Sequence, residues 1–221
     1  MLLDLNPYEQ LQLAAGDALI RWAGVEFQLY RAFREQSGIH DLTADSIWGT
    51  VVSFDARITM AQRLLARQHP KGQLHDDVVL LLAEVRKRYK QRNEIAHSTP
   101  VFGDGGTVPT LAPFLLLSAD HRELRIDDLK QRGMAFERLA WSMVWLNLEL
   151  ARTLRPKQPP ASPEPPPDLV QELRDEESRR RREQSERQKL LRHALKLAGE
   201  GRLPDWPPDQ DLDPVVQSTS S

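Results

Sequence analysis

The chain of 221 residues carries 30 lysines and arginines against 32 aspartates and glutamates, so overall charge argues neither for nor against a nucleic-acid partner and only a local cluster of cations can indicate one. There is no cysteine, which excludes disulfide bonds, thiolate metal sites and cysteine nucleophiles and fits a reducing cytoplasm. Polar residues interrupt the apolar N-terminal stretch, so we expect no signal peptide, no contact with a membrane and a cytoplasmic location.

Two long helices are predicted in the first third of the chain. The first spans about residues 7–36, because Pro7 suits a first helical position, Gly38 suits a stop, and apolar residues recur between them in steps of three and four. The second spans about residues 43–68 as one uninterrupted helix, since its apolar residues alternate steps of four and three throughout. A Pro-Lys-Gly sequence then breaks it.

A third helix is predicted over about residues 73–98. It ends before Pro100, because a proline disfavours helical geometry in the residue before it. The segment that follows is rich in glycine and proline. Within it, residues 114–117 and 124–126 are predicted to pair as a small hairpin, and the glycines of residues 103–106 indicate a tight turn.

The fourth predicted helix, over about residues 127–154, is apolar on two sides. One bundle covers only one of these sides, so we expect the other, which includes Trp141 and Trp145, to face a second copy of the chain. The predicted fold class is all-α: an antiparallel four-helix bundle, with five helices at most, and a small loop or hairpin excursion before the last bundle helix.

A proline-rich linker divides the chain. Residues 155–168 contain seven prolines, which favours a semi-rigid polyproline segment. The helix expected beyond it is charged almost throughout, so we expect it to stay apart from the main core. The predicted organisation is a helical bundle at 1–155, a linker at 156–168, a charged helix at 169–201 and a disordered tail at 202–221.

The candidate site lies where the third predicted helix ends. Five cations in seven residues, from Arg86 to Arg92, precede the sequence Arg92-Asn93-Glu94-Ile95-Ala96-His97. Arginine binds phosphate in a fork-shaped geometry, and histidine titrates near neutral pH. Asn93 lies one helical turn before His97 and is expected to hydrogen-bond its imidazole. Carboxylates on the same helix are few, so we expect an uncompensated positive surface, with Arg86, Arg88 and Lys90 as phosphate-binding residues and Glu26 as a further contact.

The sequence Arg92-Asn93-x-x-x-His97, at the end of a third long helix, resembles the signature of HEPN domains, which are helical modules of many RNA-cleaving toxins and defence proteins. The resemblance covers about residues 7–155. It implies a metal-independent endoribonuclease that needs no cofactor, acts as a homodimer on single-stranded RNA and leaves 2′,3′-cyclic phosphate ends. Arg92, Asn93 and His97 are the catalytic residues that it implies, and an antitoxin or defence-system protein is the kind of partner.

Two alternatives stay open. The spacing Glu94-x-x-His97 also fits a di-iron ligand pair of a four-helix bundle, with Glu26 as a further ligand in a dimer. Glu26 is otherwise expected to pair with a buried cation such as Arg92. The alternative function is a non-catalytic, dimeric HEPN-like scaffold that binds RNA or a partner protein. Burial of His97 distinguishes the two functions, because catalysis requires an exposed imidazole.

Overall fold

The computed structural model describes residues 5–102, 108–113, 123–154 and 167–199. Within these ranges the protein is a bundle of helices with a single two-stranded sheet, so the all-α bundle expected from the sequence is confirmed. The helices are α1 (Pro7–Ser37), α2 (Asp41–Thr50), α3 (Phe54–Gln68), α4 (Gln73–Ala96), α5 (Ile126–Leu154) and α6 (Asp168–Gly199), and the strands are β1 (Ser98–Phe102) and β2 (Pro109–Pro113).

Helix α1 has the boundaries that its sequence predicts. The Asn6 side chain accepts a hydrogen bond from the Glu9 amide at 2.9 Å, and the Glu9 carboxylate accepts one from the Asn6 amide at 2.8 Å. This reciprocal cap satisfies two amides that the first turn leaves unpaired. At the other end Gly38 adopts a left-handed conformation (φ 67°), which a residue without Cβ enters without steric cost.

The prediction of one uninterrupted helix over residues 43–68 is wrong, because residues 51–53 interrupt it. Val51 is extended, and the Ser53 hydroxyl then caps α3 by accepting from the Ala56 amide at 3.4 Å. Two adjacent β-branched valines followed by a capping serine favour a new start over continuation. The hydrophobic periodicity runs across the break unaltered, and it therefore concealed the break.

This break reverses the chain once more than a four-helix bundle would. α5 runs antiparallel to α4 but parallel to α1. Ala18 lies beside Gly133, and further along both helices Gly24 lies beside Ala140. The side chain of Asn147 then donates to the Gln28 carbonyl oxygen at 3.1 Å. α1 packs extensively on α5, and between them and α3 and α4 lies the hydrophobic core, centred on Trp22.

A hairpin that the sequence did not predict forms between residues 98 and 113. β1 pairs antiparallel with β2, from Ser98 opposite Pro113 to Phe102 opposite Pro109. Leu124, which the sequence placed in a hairpin with residues 114–117, instead bridges Leu111 at the edge of β2. Residues 114–122 lie outside the described ranges, as does the turn predicted at 103–106.

The first two turns of α6 belong to the bundle, which corrects the expectation that the charged helix stays apart from the core. Two compact units divide the chain after Arg174 and not after residue 155. Leu169 and Val170 are buried in the core, and Leu173 packs against it. These three apolar residues lie on one face of the first two turns of α6. Their packing is enough to hold those two turns against the bundle. The second unit begins at Asp175, and its described helix carries ion pairs with a spacing of four residues, such as Arg180 with Glu176. The linker predicted at 156–168 and the tail at 202–221 lie almost wholly outside the described ranges.

Candidate functional site

His97 is placed at the very end of α4. The helix ends at Ala96, and the His97 amide donates to the Asn93 carbonyl oxygen at 3.0 Å as the helix cap. Its side chain is exposed. Within the part of the chain that the structure describes, the imidazole has no hydrogen-bond or ion-pair partner, so both ring nitrogens are available to a ligand.

Arg92 is held differently from His97. It lies on the same face of α4 as Val85 and Tyr89, the face that enters the core, so its side chain is half-buried. Nη1 donates to the side-chain oxygen of Asn93 at 3.2 Å. Nε is buried and, among the described residues, has no partner. A buried N–H without an acceptor costs about 1–3 kcal/mol, so this guanidinium is a donor whose hydrogen bonds are incomplete.

Asn93 therefore contacts Arg92 and not the imidazole. The expected side-chain hydrogen bond from Asn93 to His97 is wrong, because the Asn93 oxygen accepts from Arg92 instead. Asn93 is half-buried beside the guanidinium. Its role in the arrangement is to orient Arg92, while His97 is oriented by its backbone alone.

Three of the five cations in the run form ion pairs with two carboxylates, which corrects the expectation of an uncompensated surface. Arg86 donates to Asp55 of α3 at 2.7 Å, and Arg88 donates to Glu84 at 2.5 Å. Lys87 also reaches Glu84, at 3.5 Å. The sequence argument considered carboxylates on the same helix alone, and Asp55 comes from a neighbouring helix. The sequence argument also counted Glu84 as a partner for one cation, although this buried carboxylate pairs with both Arg88 and Lys87.

The end of the run is the exception. Lys90 is exposed and, within the described ranges, has no carboxylate partner. Glu94, the acid nearest to it in sequence, is bound by Arg132 of α5 at 2.6 Å. Arg132 also donates to the Gln91 carbonyl oxygen at 3.1 Å, so it fixes the last turn of α4 to α5. Positive charge without a bound acid therefore remains at Lys90 and Arg92, in the last two turns of α4 before His97.

Glu26 does not join this group. It accepts a hydrogen bond from the indole nitrogen of Trp22 at 2.6 Å, and the structure shows no ion pair between Glu26 and Arg92. The expectation that Glu26 pairs with Arg92 is therefore wrong, because a tryptophan one turn earlier in α1 holds the carboxylate. A role of Glu26 in substrate binding stays a prediction without a structural contact.

A metal site is not supported among the described residues. They contain no group of three or more histidines, aspartates and glutamates placed to hold an ion, so Glu94 and His97 do not gain a third ligand within the described part of one chain.

In those same ranges no helix combines the length and the apolar character that crossing a bilayer requires.

A second polar cluster was missed by the sequence argument. Arg174 of α6 makes two hydrogen bonds of 2.7 Å to Asp77 of α4, which is buried. Gln73 donates to the same carboxylate at 3.0 Å. The hydrogen bond to Asp77 raises the pKa of Arg174. The sequence signal was Leu169, Val170 and Leu173, because a helix start with one apolar face implies a surface to pack on.

Comparison of the chain with models of known protein families, with curated proteins and with solved structures finds no significant match.

Proposed function

We propose that this protein is a metal-independent endoribonuclease of the HEPN type, with His97 as its general acid–base group and Arg92 as its phosphate-binding group. One observation supports the proposal above the others: His97 is exposed and has no partner among the described residues, while the guanidinium of Arg92, five residues earlier in the chain, has incomplete hydrogen bonding. A histidine kept for stability alone is expected to be packed or hydrogen-bonded.

The proposed reaction requires no metal. A neutral imidazole takes the proton of the 2′-hydroxyl, and the oxygen attacks the adjacent phosphorus. The bond from phosphorus to the 5′-oxygen breaks, and an acid gives that oxygen a proton, which leaves a 2′,3′-cyclic phosphate. The guanidinium of Arg92 stabilises the charge that develops on the phosphate oxygens. Asn93 fixes the direction of that guanidinium through its hydrogen bond to Nη1.

One chain supplies one His97, whereas the reaction uses a base and an acid. We therefore propose a homodimer in which two copies of His97 meet in one cleft around single-stranded RNA. Lys90, as an exposed cation beside the site, contacts the RNA backbone. Arg86 and Arg88 contribute less than the sequence suggests, because each already binds a carboxylate.

The experiment is cleavage of a labelled single-stranded RNA in the presence of EDTA, with analysis of the product ends. His97→Ala and Arg92→Ala should each lose most activity, since one general acid–base group contributes roughly 10²–10⁴ in rate. Arg63→Ala is a matched control, because Arg63 also precedes a histidine, His69, in a similar sequence pattern but is exposed on α3. Full activity of a folded His97→Ala variant would refute the mechanism.

The non-catalytic scaffold remains the second candidate, and the ion pairs of the cationic run favour it. Arg86, Lys87 and Arg88 are engaged with Asp55 and Glu84, as expected of a helix face that serves stability. In a scaffold that binds RNA or a partner protein such as an antitoxin, His97→Ala would leave binding intact. If the wild type binds RNA or a partner protein but does not cleave RNA, the result would support the scaffold function.

A further inference from the structure

Two rows of large apolar side chains lie exposed on the outer side of the bundle, where α1 and α5 run side by side. Each row repeats every seven residues along its helix, which is the spacing of a helix that packs along another helix. We refer to these six residues as the outer face. It comprises Leu13, Ile20 and Phe27 of α1 and Met134, Trp141 and Leu148 of α5, whose exposed fractions lie between 46% and 74%.

The two rows form one surface because α1 and α5 are parallel and in register. Gly24 lies against Ala140, so the two backbones approach closely between the rows. With this register Met134 and Trp141 each lie at a height between two outer-face residues of α1, and Leu148 lies beyond Phe27, so the six side chains alternate along the seam. The charges in the seam are already paired, since Arg21 binds both Asp17 and Glu137.

The size of the outer face lies at or above the upper end of what a monomer normally exposes. A large apolar residue presents on the order of 150–250 Å² when fully exposed. At the exposed fractions observed, the six residues together present roughly 500–900 Å². The largest apolar patch of a typical monomer is about 300–600 Å², and one side of a stable interface buries about 800 Å². With a polar rim around it, this surface is therefore large enough to form a stable dimer interface.

We propose that the outer face binds the outer face of a second copy of this chain, related by a two-fold axis. The seven-residue repeat on both helices favours a partner that is itself helical. A second copy of the chain offers two helices with the same spacing of apolar residues. α1 and α5 have parallel dipoles, and a two-fold axis perpendicular to them sets the dipoles of the second copy in the opposite direction. The four helices then pack as an isologous interface.

This interface is distinct from the proposed cleft at His97. α4 packs on the inner side of α1 and α5, where Tyr89 meets Trp22, and so a copy on the outer face does not approach His97. The inference thus goes beyond the proposed function and holds equally for the scaffold. It also corrects the expectation that Trp145 faces a second copy, because Trp145 is half-buried against the core and Trp141 is exposed.

The first test is the mass of the assembly by light scattering at micromolar concentration. Trp141→Glu and Ile20→Glu place a charge within the outer face, and each should halve the mass of the wild-type assembly. Val52→Glu is the matched control, because Val52 is also a fully accessible apolar residue, at 93% exposed, but lies between α2 and α3. It should keep the wild-type mass. A monomeric wild type, or Trp141→Glu with unchanged mass, would overturn the proposal.

The second test uses the absence of cysteine from the chain. Ile20→Cys introduces a single thiol near the middle of the outer face, where the two-fold axis brings equivalent residues together. Mild oxidation should give a covalent dimer with Ile20→Cys and none with Val52→Cys. If Ile20→Cys stays monomeric in denaturing gels, the two-fold arrangement is wrong. RNA cleavage is a separate readout. Trp141→Glu should retain cleavage, and His97→Ala should lose cleavage at unchanged mass. The two measurements therefore distinguish a failure of the interface proposal from a failure of the proposed function.

Discussion

Arg174 and Asp77 form a bidentate ion pair between α6 and α4, with both hydrogen bonds at 2.7 Å. Asp77 is 2% exposed, so its charge depends on this guanidinium and on Gln73 for stabilisation. Removing one partner of a buried pair costs more than the pair contributes, because the remaining charge stays buried without compensation. The relationship explains why a helix that is mostly charged begins by docking on the bundle.

Arg174→Ala should therefore lower the free energy of unfolding by about 2–3 kcal/mol, slightly below the usual 3–5 kcal/mol because Gln73 still binds Asp77. Chemical denaturation measures the change. Arg180→Ala is the control, since Arg180 pairs with Glu176 on an exposed surface and should cost at most about 0.5 kcal/mol. In the double variant with Asp77→Asn the loss caused by Arg174→Ala should shrink, and an undiminished loss would show that the ion pair is not its cause.

Truncation after residue 155 should lower the melting temperature by several degrees. It removes the buried residues Leu169 and Val170 as well as the ion pair at Asp77, and about 1 kcal/mol corresponds to roughly 2–4 °C in a domain of this size. Truncation after residue 180 leaves these contacts in place and should change the melting temperature little. Equal melting temperatures for the two truncations would contradict the docking of α6.

His69 should make the protein less stable in mild acid. Burial lowers the pKa of His69 below its ordinary value near 6.5, and its ring contacts the Gln36 side-chain oxygen at 3.1 Å. The unfolded chain therefore binds the proton more readily. This contribution to stability is complete above about pH 6.5, is lost as the pH falls below it, and stops changing below the folded pKa.

The measurement for His69 is the free energy of unfolding of the wild type and of His69→Gln between pH 8 and pH 5. Glutamine can still donate to Gln36 but does not titrate. The wild type should lose more stability than the variant as the pH falls. Parallel curves would show that the burial of His69 does not influence its protonation.

Asp55→Asn should strengthen RNA binding if the cationic run contacts phosphate. The substitution releases Arg86 from its ion pair and adds one unit of positive charge at the run. Affinity should rise and become more dependent on salt, because each additional phosphate contact releases counterions. Asp41→Asn is the charge-matched control. It removes the same charge, but Asp41 pairs with Arg34 near the C-terminal end of α1 and not with a cation of the run. Equal affinities of the two variants would place the RNA elsewhere.

The sequence was informative where local chemistry decides the structure. The start at Pro7, the stop at Gly38 and the boundaries of α4 and α5 follow from residue type and periodicity. It was misleading at residues 51–53, because an apolar period of three and four continues across a turn without any change. The position of His97 at a helix end was predictable, whereas the ion pairs of Arg86 with Asp55 and of Arg174 with Asp77 join distant parts of the chain. No periodicity within one helix reports such contacts.

The parallel course of α1 and α5 has a consequence for how this protein is attached to anything else. The chain enters the bundle at the end that carries the site, since Tyr8 stacks on Phe102 of the strand that follows His97. The first unit ends at Arg174, which is bound to Asp77 and thus lies about 30 Å from His97 along α4, at 1.5 Å per residue. A tag or fused domain before residue 5 would lie at the same end as His97, whereas the chain leaves the first unit at the opposite end of α4.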